Sequence, residues 1–286
     1  MDTPHPVQDR QFLFVCGCAR SGTSLVTDLL TMHPDIAIGM ERYQRLVTRE
    51  PERFEPALFE PERFFDVRPG DTFYDDLEYF EHYGRIRDRY ARARLVGDKV
   101  PRLYERYALI AKRFPGARVI FVTRELPAVA ASARARSTDP TDELWPRERG
   151  VAAAIREWTE AHEATLAAFD ELPIFVLRYE TLVRAPDSSP LLAFLGLEDD
   201  DGFSGMLDWI ASRSAELEAE RGAASASPAP EADTRLQRLG QEVRTQLRPP
   251  AGRRFTWMER RRVDRSGHGQ LSAALTAAAV ARGRSL

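Results

Sequence analysis

The chain has 286 residues, 43% of them hydrophobic and 30% charged, and a formal net charge of −3. That is length for one large α/β domain and an ordinary globular composition, with no electrostatic reason to expect nucleic acid or an anionic membrane as a partner. No window approaches the ~20 apolar residues of a stable membrane span, and the polar start (MDTPHPVQDRQ) lacks a signal-peptide core, so a soluble cytoplasmic protein is expected.

Residues 12–16 (FLFVC) form an apolar run too short for a helix and suited to a buried parallel strand. Cys16 and Cys18 stand two apart, so in a strand they share a face and cannot readily bond to each other. The five histidines are scattered, and reduced cysteines in the core or a loop are expected. A glycine-serine loop follows, then a helix period over Thr23–His33 that stops before Pro34. A short strand is expected at Ile36–Ile38.

Prolines at 51, 56, 61 and 69 and an aromatic, acidic, arginine-rich composition mark an insertion over about 42–93, read as short helices and loops beside the sheet. Further strands are expected at about 94–97, 118–123 and 174–177. Helices are expected at 102–113, 126–136 and 147–169, and another ends in Leu195-Gly196-Leu197. Residues 222–233 (GAASASPAPEAD) read as a flexible segment, and 234–286 as an arginine-rich helical region ending in an alanine-rich helix at about 269–282. Alternating β and α units predict a single domain over 1–286: an α/β fold with a parallel sheet flanked by helices, its core motifs within 12–197.

The loop Cys16-Gly17-Cys18-Ala19-Arg20-Ser21-Gly22-Thr23-Ser24 sits where a strand meets a helix. Backbone N–H groups and the positive end of the helix dipole stabilise an anion there, glycine permits close approach, and the hydroxyls donate further bonds. The pattern G-x-x-x-x-G-K-[ST] almost fits from Gly17, but Thr23 replaces its lysine and the cation is Arg20, inside the loop.

Arg20-Ser21-Gly22-Thr23-Ser24 resembles the 5′-phosphosulfate loop of the sulfotransferases, a family with a P-loop nucleoside triphosphate hydrolase-like fold. The resemblance implies that these five residues hold the 5′-phosphate and sulfate of 3′-phosphoadenosine 5′-phosphosulfate. It also implies that Arg124, at the end of the RVIFVT strand, and Ser132, eight residues on, hold the 3′-phosphate. Arg136, four residues beyond Ser132 on the same helix face, adds a third contact. The segment Tyr179-Glu180-Thr181-Leu182-Val183 with Phe194-Leu195-Gly196-Leu197 is similar to a further family segment, which places Tyr179 near the nucleotide.

Sulfuryl transfer needs a base for the acceptor hydroxyl and cations where charge gathers on the departing oxygen; arginine, lysine and backbone dipoles can fill the cationic role, so no metal need be assumed. Glu41 follows the second strand, at the carboxyl end of the sheet. Protein-tyrosine sulfotransferases and related bacterial enzymes place their glutamate base twenty-one residues after the loop arginine, which is where Glu41 stands from Arg20. Lys99, in Gly97-Asp98-Lys99-Val100-Pro101, matches their N-K-x-P lysine beside the leaving phosphate, with Asp98 in place of Asn. It is one of two lysines, against 39 arginines; the other, Lys112, reads as surface. Arg20, Glu41 and Lys99 are thus the catalytic candidates. His33, before Pro34, reads as a helix stop.

That subfamily carries an arginine two residues past its base, where this chain has Tyr43, flanked by Arg42 and Arg45, and the R-K-G-x-x-G motif of cytosolic sulfotransferases is absent. Arg253-Arg254-Phe255-Thr256-Trp257 is a candidate replacement over the donor. The acceptor stays open among sugar, lipid, small-molecule and peptide hydroxyls, as does the oligomeric state. Two alternatives stand beside the sulfotransferase: an ATP-dependent small-molecule kinase using Asp98 as its Mg²⁺ ligand, and a non-catalytic nucleotide-binding protein.

Overall fold

Strands buried on both faces and joined by helices pair in parallel, and the computed structural model of the chain, which describes residues 10–74, 81–142, 145–184, 186–224 and 268–284, has that layout. Strands β1 (Gln11–Cys16), β2 (Ile36–Met40), β3 (Leu95–Lys99), β4 (Arg118–Thr123) and β5 (Ile174–Arg178) form one sheet in the order β2-β3-β1-β4-β5. All four pairings are parallel. The chain leaves β1 toward β2 and leaves β4 toward β5, so the connections diverge at the carboxyl ends of β1 and β4, where ligands bind in open α/β sheets.

The period-two alternation of β1 divides the core. Leu13 and Val15 face α1 (Thr23–Leu30) and, further along the chain, α8 (Tyr179–Arg184), α9 (Ser189–Leu195) and α10 (Asp201–Ala224). Phe14 and Cys16 face α5 (Tyr107–Arg113), α7 (Val151–Ala168) and the insertion, whose helices are α2 (Gln44–Arg49), α3 (Pro61–Phe65) and α4 (Glu81–Tyr90). Aromatic rings fill the insertion side: Phe14 meets Phe114 at 5.1 Å and Phe59 at 5.8 Å, mostly edge to face. The insertion therefore shares the core of the sheet.

A buried cation ties the insertion to β2. Arg42 is fully buried; its Nε donates to the Phe64 carbonyl (2.7 Å), Nη2 to that of Asp66 (2.8 Å), and Nη1 pairs with Asp71 (2.8 Å). Burial works against the Asp71 charge, but hydrogen bonds from Arg63, the Arg68 amide and Arg42 hold its carboxyl below the ordinary value.

Several boundaries differ from expectation. The helix expected at 102–113 is a 3₁₀ segment, Pro101–Arg106, followed by α5, with Arg102 off helical geometry. The cause is tertiary, since the Pro101 carbonyl accepts the Gly17 amide (3.0 Å) and turns that segment toward the loop. Between α5 and α7 lies α6 (Leu126–Thr138). Helix α7 begins only at Val151, after Gly150. Helix α10 runs three residues into the stretch expected to be a loop from 222, while 225–233 and Arg253–Trp257 lie outside the described residues. Its spacing of Phe203, Leu207, Ile210 and Leu217 is the signal for a helix that the sequence reading did not assign. Helix α11 (His268–Val280) packs on α7 and β5, and the Arg284 carbonyl accepts the Val176 amide (2.7 Å), covering part of an edge strand. Among the described residues no helix is long and apolar enough to cross a membrane.

Replacing Arg42 by methionine leaves buried carbonyls and part of Asp71 without a donor. It is expected to lower unfolding stability by about 3 kcal/mol, read from the shift in a chemical denaturation midpoint at unchanged slope.

Candidate active site

The turn between β1 and α1 is built for close backbone approach. A Cβ on Gly17 would stand 2.2 Å from the Val122 carbonyl oxygen, so only glycine lets the loop pass β4. Gly22, at φ 96°, caps α1 with no side-chain hydrogen bond, leaving the first amides of the helix facing the loop. The Ser21 hydroxyl is buried with no hydrogen-bond partner among the described residues. Uncapped amides and an unmatched hydroxyl at a helix N-terminus suit a tetrahedral oxyanion. One loop amide is already committed: Ala19 N–H donates to Glu157 (2.8 Å), whose other oxygen pairs with Arg149 (2.6 Å).

The β4 side brings together the distant residues expected there. Arg20 Nε donates to Ser132 Oγ (2.8 Å), and Arg124 Nη1 to the Arg20 carbonyl (3.3 Å). The Arg124 guanidinium lies over the Tyr179 ring, 5.1 Å from its centroid. Arg136 forms an ion pair with Asp142 and lies over Trp145, 4.9 Å from the ring centroid; Arg149 flanks the same indole at 4.6 Å and Arg20 at 6.0 Å. Beneath Arg124, Trp158 Nε1 donates to its carbonyl (2.9 Å) and stacks on His162. His162 Nδ1 donates to the Trp158 carbonyl (2.7 Å), which leaves Nε2 to accept from Thr123 (2.7 Å). Burial pushes the ring down to about 4, so it is neutral at pH 7.

On the other side of the loop stand Glu41 and Lys99. Glu41 N–H donates to the Lys99 carbonyl (2.8 Å), extending the β2–β3 ladder by one bond. The chain then turns through φ 62° at Glu41. Among the described residues the non-glycine positions with left-handed backbone are Arg20 and Glu41, each at a cost of about 1–2 kcal/mol. Thr72 holds the Glu41 carbonyl (2.9 Å), and the Tyr74 hydroxyl reaches Oε2 at 3.4 Å. Lys99, 1% exposed, donates from Nζ to Glu41 Oε1 (2.5 Å) and to Ser24 Oγ (3.2 Å). A second cation, besides Arg20 of the loop, thus reaches Ser24 from β3.

Asp98 is fully buried, and its two oxygens accept the amides of Arg42 (3.0 Å) and Tyr43 (2.8 Å). Burial pushes its carboxyl up to about 7 against those two donors. Tyr43 points into the core and donates to the Leu58 carbonyl. Arg45 and Lys112 are exposed. His33 bridges the Glu198 carbonyl (3.0 Å) and the Asp35 amide (3.2 Å), a structural tie at the end of α1. Cys16 and Cys18 are free and buried. Glu157, Tyr74, Thr72 and His162 were not picked out by sequence reasoning; each acts across 31 or more residues on groups already at the loop, and none stands in a local pattern.

Residues 13–201, more than half of the chain, match the model of the sulfotransferase family. Among solved structures the chain is similar to the crystal structure of sulfotransferase STF9 from Mycobacterium avium, at 15% sequence identity and a TM-score of 0.42, covering 84% of this chain and 77% of that one. A comparison with curated proteins finds no match.

Because His162 is neutral in the fold and ordinary when unfolded, the unfolded state takes up its proton first as pH falls. The stability it supports is intact above about pH 6.5 and is lost toward pH 4, by about 3 kcal/mol in all. Denaturation across that range should show a difference in slope between wild type and His162→Gln; parallel curves would mean the ring is not held neutral.

Proposed function

The chain belongs to the sulfotransferase family, and on that premise we propose that it transfers a sulfuryl group from 3′-phosphoadenosine 5′-phosphosulfate to an acceptor hydroxyl, with Glu41 as general base. The observation that carries the reading is the position of Lys99 Nζ, bonded at once to Glu41 and to Ser24 of the loop. Base, cation and anion cradle thereby share one mouth at the carboxyl end of the sheet.

The residues suit this donor. Arg20 to Ser24 offer an uncapped helix start and the unmatched Ser21 hydroxyl to the 5′-phosphate end. Arg124 and Ser132, already joined through Arg20, offer a guanidinium and a hydroxyl to a 3′-phosphate, and Tyr179 stands beside Arg124. Arg136 joins them by sharing or releasing Asp142. The donor, when bound, supplies a sulfuryl group activated by its anhydride link to phosphate. Glu41 takes the hydroxyl proton of the acceptor on a carboxylate oxygen, while Lys99 and the loop donors hold positive charge beside the phosphate oxygen that departs. Because Lys99 bonds Glu41 and Ser24 together, proton acceptor and cation are set relative to one another before either substrate arrives. These groups supply the charge the reaction needs, and no metal ion enters the proposal. A cytoplasmic location is part of this proposal. A kinase would need Asp98 for Mg²⁺, yet both its oxygens hold backbone amides.

Titration calorimetry is expected to show 3′-phosphoadenosine 5′-phosphate binding more tightly than ATP with Mg²⁺; the reverse order would overturn the donor assignment. Glu41→Gln is expected to keep that affinity while transfer of labelled sulfate to a panel of phenol, sugar, steroid and tyrosyl-peptide hydroxyls falls about a hundredfold or more. Unchanged transfer would remove Glu41 as the base.

A further inference from the structure

Asp98 and Lys99 are neighbours on β3, so their side chains leave the strand on opposite faces, yet both converge on the turn that carries Glu41. Lys99 holds the Glu41 carboxylate. Asp98 holds the backbone of the next two residues, at 3.0 and 2.8 Å. Its path there crosses Gly39, its register partner on β2; a Cβ on Gly39 would lie 2.7 Å from Asp98 Oδ1 and 3.0 Å from the Phe64 ring.

Helix capping does not account for this carboxylate. Helix α2 begins at Gln44 with Tyr43 as its N-cap, so an orthodox cap would take amides two or three residues into the helix. The amides Asp98 accepts lie before the helix, at Arg42 and Tyr43. Nor does a cation bond to it, and a fully buried carboxyl is costly in an aromatic core. Its two bonds instead lock the chain directly after a residue in left-handed geometry, which relaxes readily unless its neighbours hold it.

We propose that Asp98 is a positioning residue for the reaction, holding Glu41 in its left-handed turn and so setting the carboxylate against Lys99. The proposal rests on Glu41 being the general base. Asp98 touches neither substrate; it acts through the amides of Arg42 and Tyr43. An asparagine offers one acceptor oxygen where the aspartate offers two, so Asp98→Asn removes half of the clamp at nearly constant volume.

The test combines structure, binding and kinetics. In crystals of Asp98→Asn with 3′-phosphoadenosine 5′-phosphate, residues 41–43 are expected to shift by about 1 Å with loss of the Glu41–Lys99 contact, while Arg20 to Ser24 stay in place. Calorimetric affinity for that nucleotide should remain within about twofold, and kcat with the best hydroxyl acceptor of the panel should fall about tenfold to a hundredfold. Asp98→Ala should fall further; if it does not fold, Asp98→Asn alone decides. In a Glu41→Gln background Asp98→Asn should cost nothing more in single-turnover transfer, because both changes act through one carboxylate. An unmoved turn, an equal loss in that background, or a matching loss of nucleotide affinity would each overturn the proposal. Glu41→Gln at the wild-type rate would overturn it too, by removing the base, and the nucleotide affinities would still judge the donor site separately.

Discussion

Lys99 is a nearly inaccessible ammonium at the end of a central strand, and the site is organised around satisfying it. Its Nζ bonds Glu41 and Ser24, which belong to the segments after β2 and β1, so one cation joins three neighbouring strands at their carboxyl ends. An unpaired charge there would be strongly destabilising, and the arrangement is stable only with Glu41 facing inward and Ser24 on the first turn of α1. The loop departs from the G-x-x-x-x-G-K-[ST] pattern at Thr23, and a lysine reaches its Ser24 from β3 through space, beside Arg20 within the loop itself.

Rigidity on the two flanks of the loop has different sources. On the β4 side a buried stack of Trp158 and His162 holds the backbone at Thr123 and Arg124 from below, while the Arg124 guanidinium contacts the loop and Tyr179 above. On the β2 side the support is polar, with Asp98 on the amides, Thr72 on the carbonyl and Arg42 anchoring the insertion. Both non-glycine residues in left-handed geometry, among those described, stand at the junctions of these supports with the loop mouth. Such strain persists where surrounding contacts over-determine the backbone, and here each strained residue is bonded on several sides.

The insertion shows how one side chain can reverse the meaning of a sequence. Arg42 stands beside Glu41 in the sequence, yet it is fully buried and spent on carbonyls and Asp71 of its own segment. Tyr43, in the position of an arginine in the resembling subfamily, is part of the aromatic core. The charge that the sequence places next to Glu41 therefore goes into holding the insertion down, while Arg45 stays on the surface.

Features carried by near neighbours in the chain were legible from the sequence alone. The apolar run before Gly17 and the helix period after it placed a strand, a tight loop and a helix, alternating units placed a parallel sheet, and the span from Arg124 to Ser132 placed two groups on one strand end and the helix beyond it. Glu41 and Lys99 were picked out as candidates by their strand ends and by resemblance, but their 2.5 Å contact joins residues 58 apart. The same holds for Asp98 on the Arg42 and Tyr43 amides, Glu157 on the loop, and the Pro101 tie that replaces a helical turn with a 3₁₀ segment. Local sequence determined strands, helices and the tight loop between β1 and α1 because backbone preference and hydrophobic period act over a few residues. Tertiary structure alone decided which charges are buried and what they hold, because the cost of burying a charge depends on partners that only the folded sheet brings within reach.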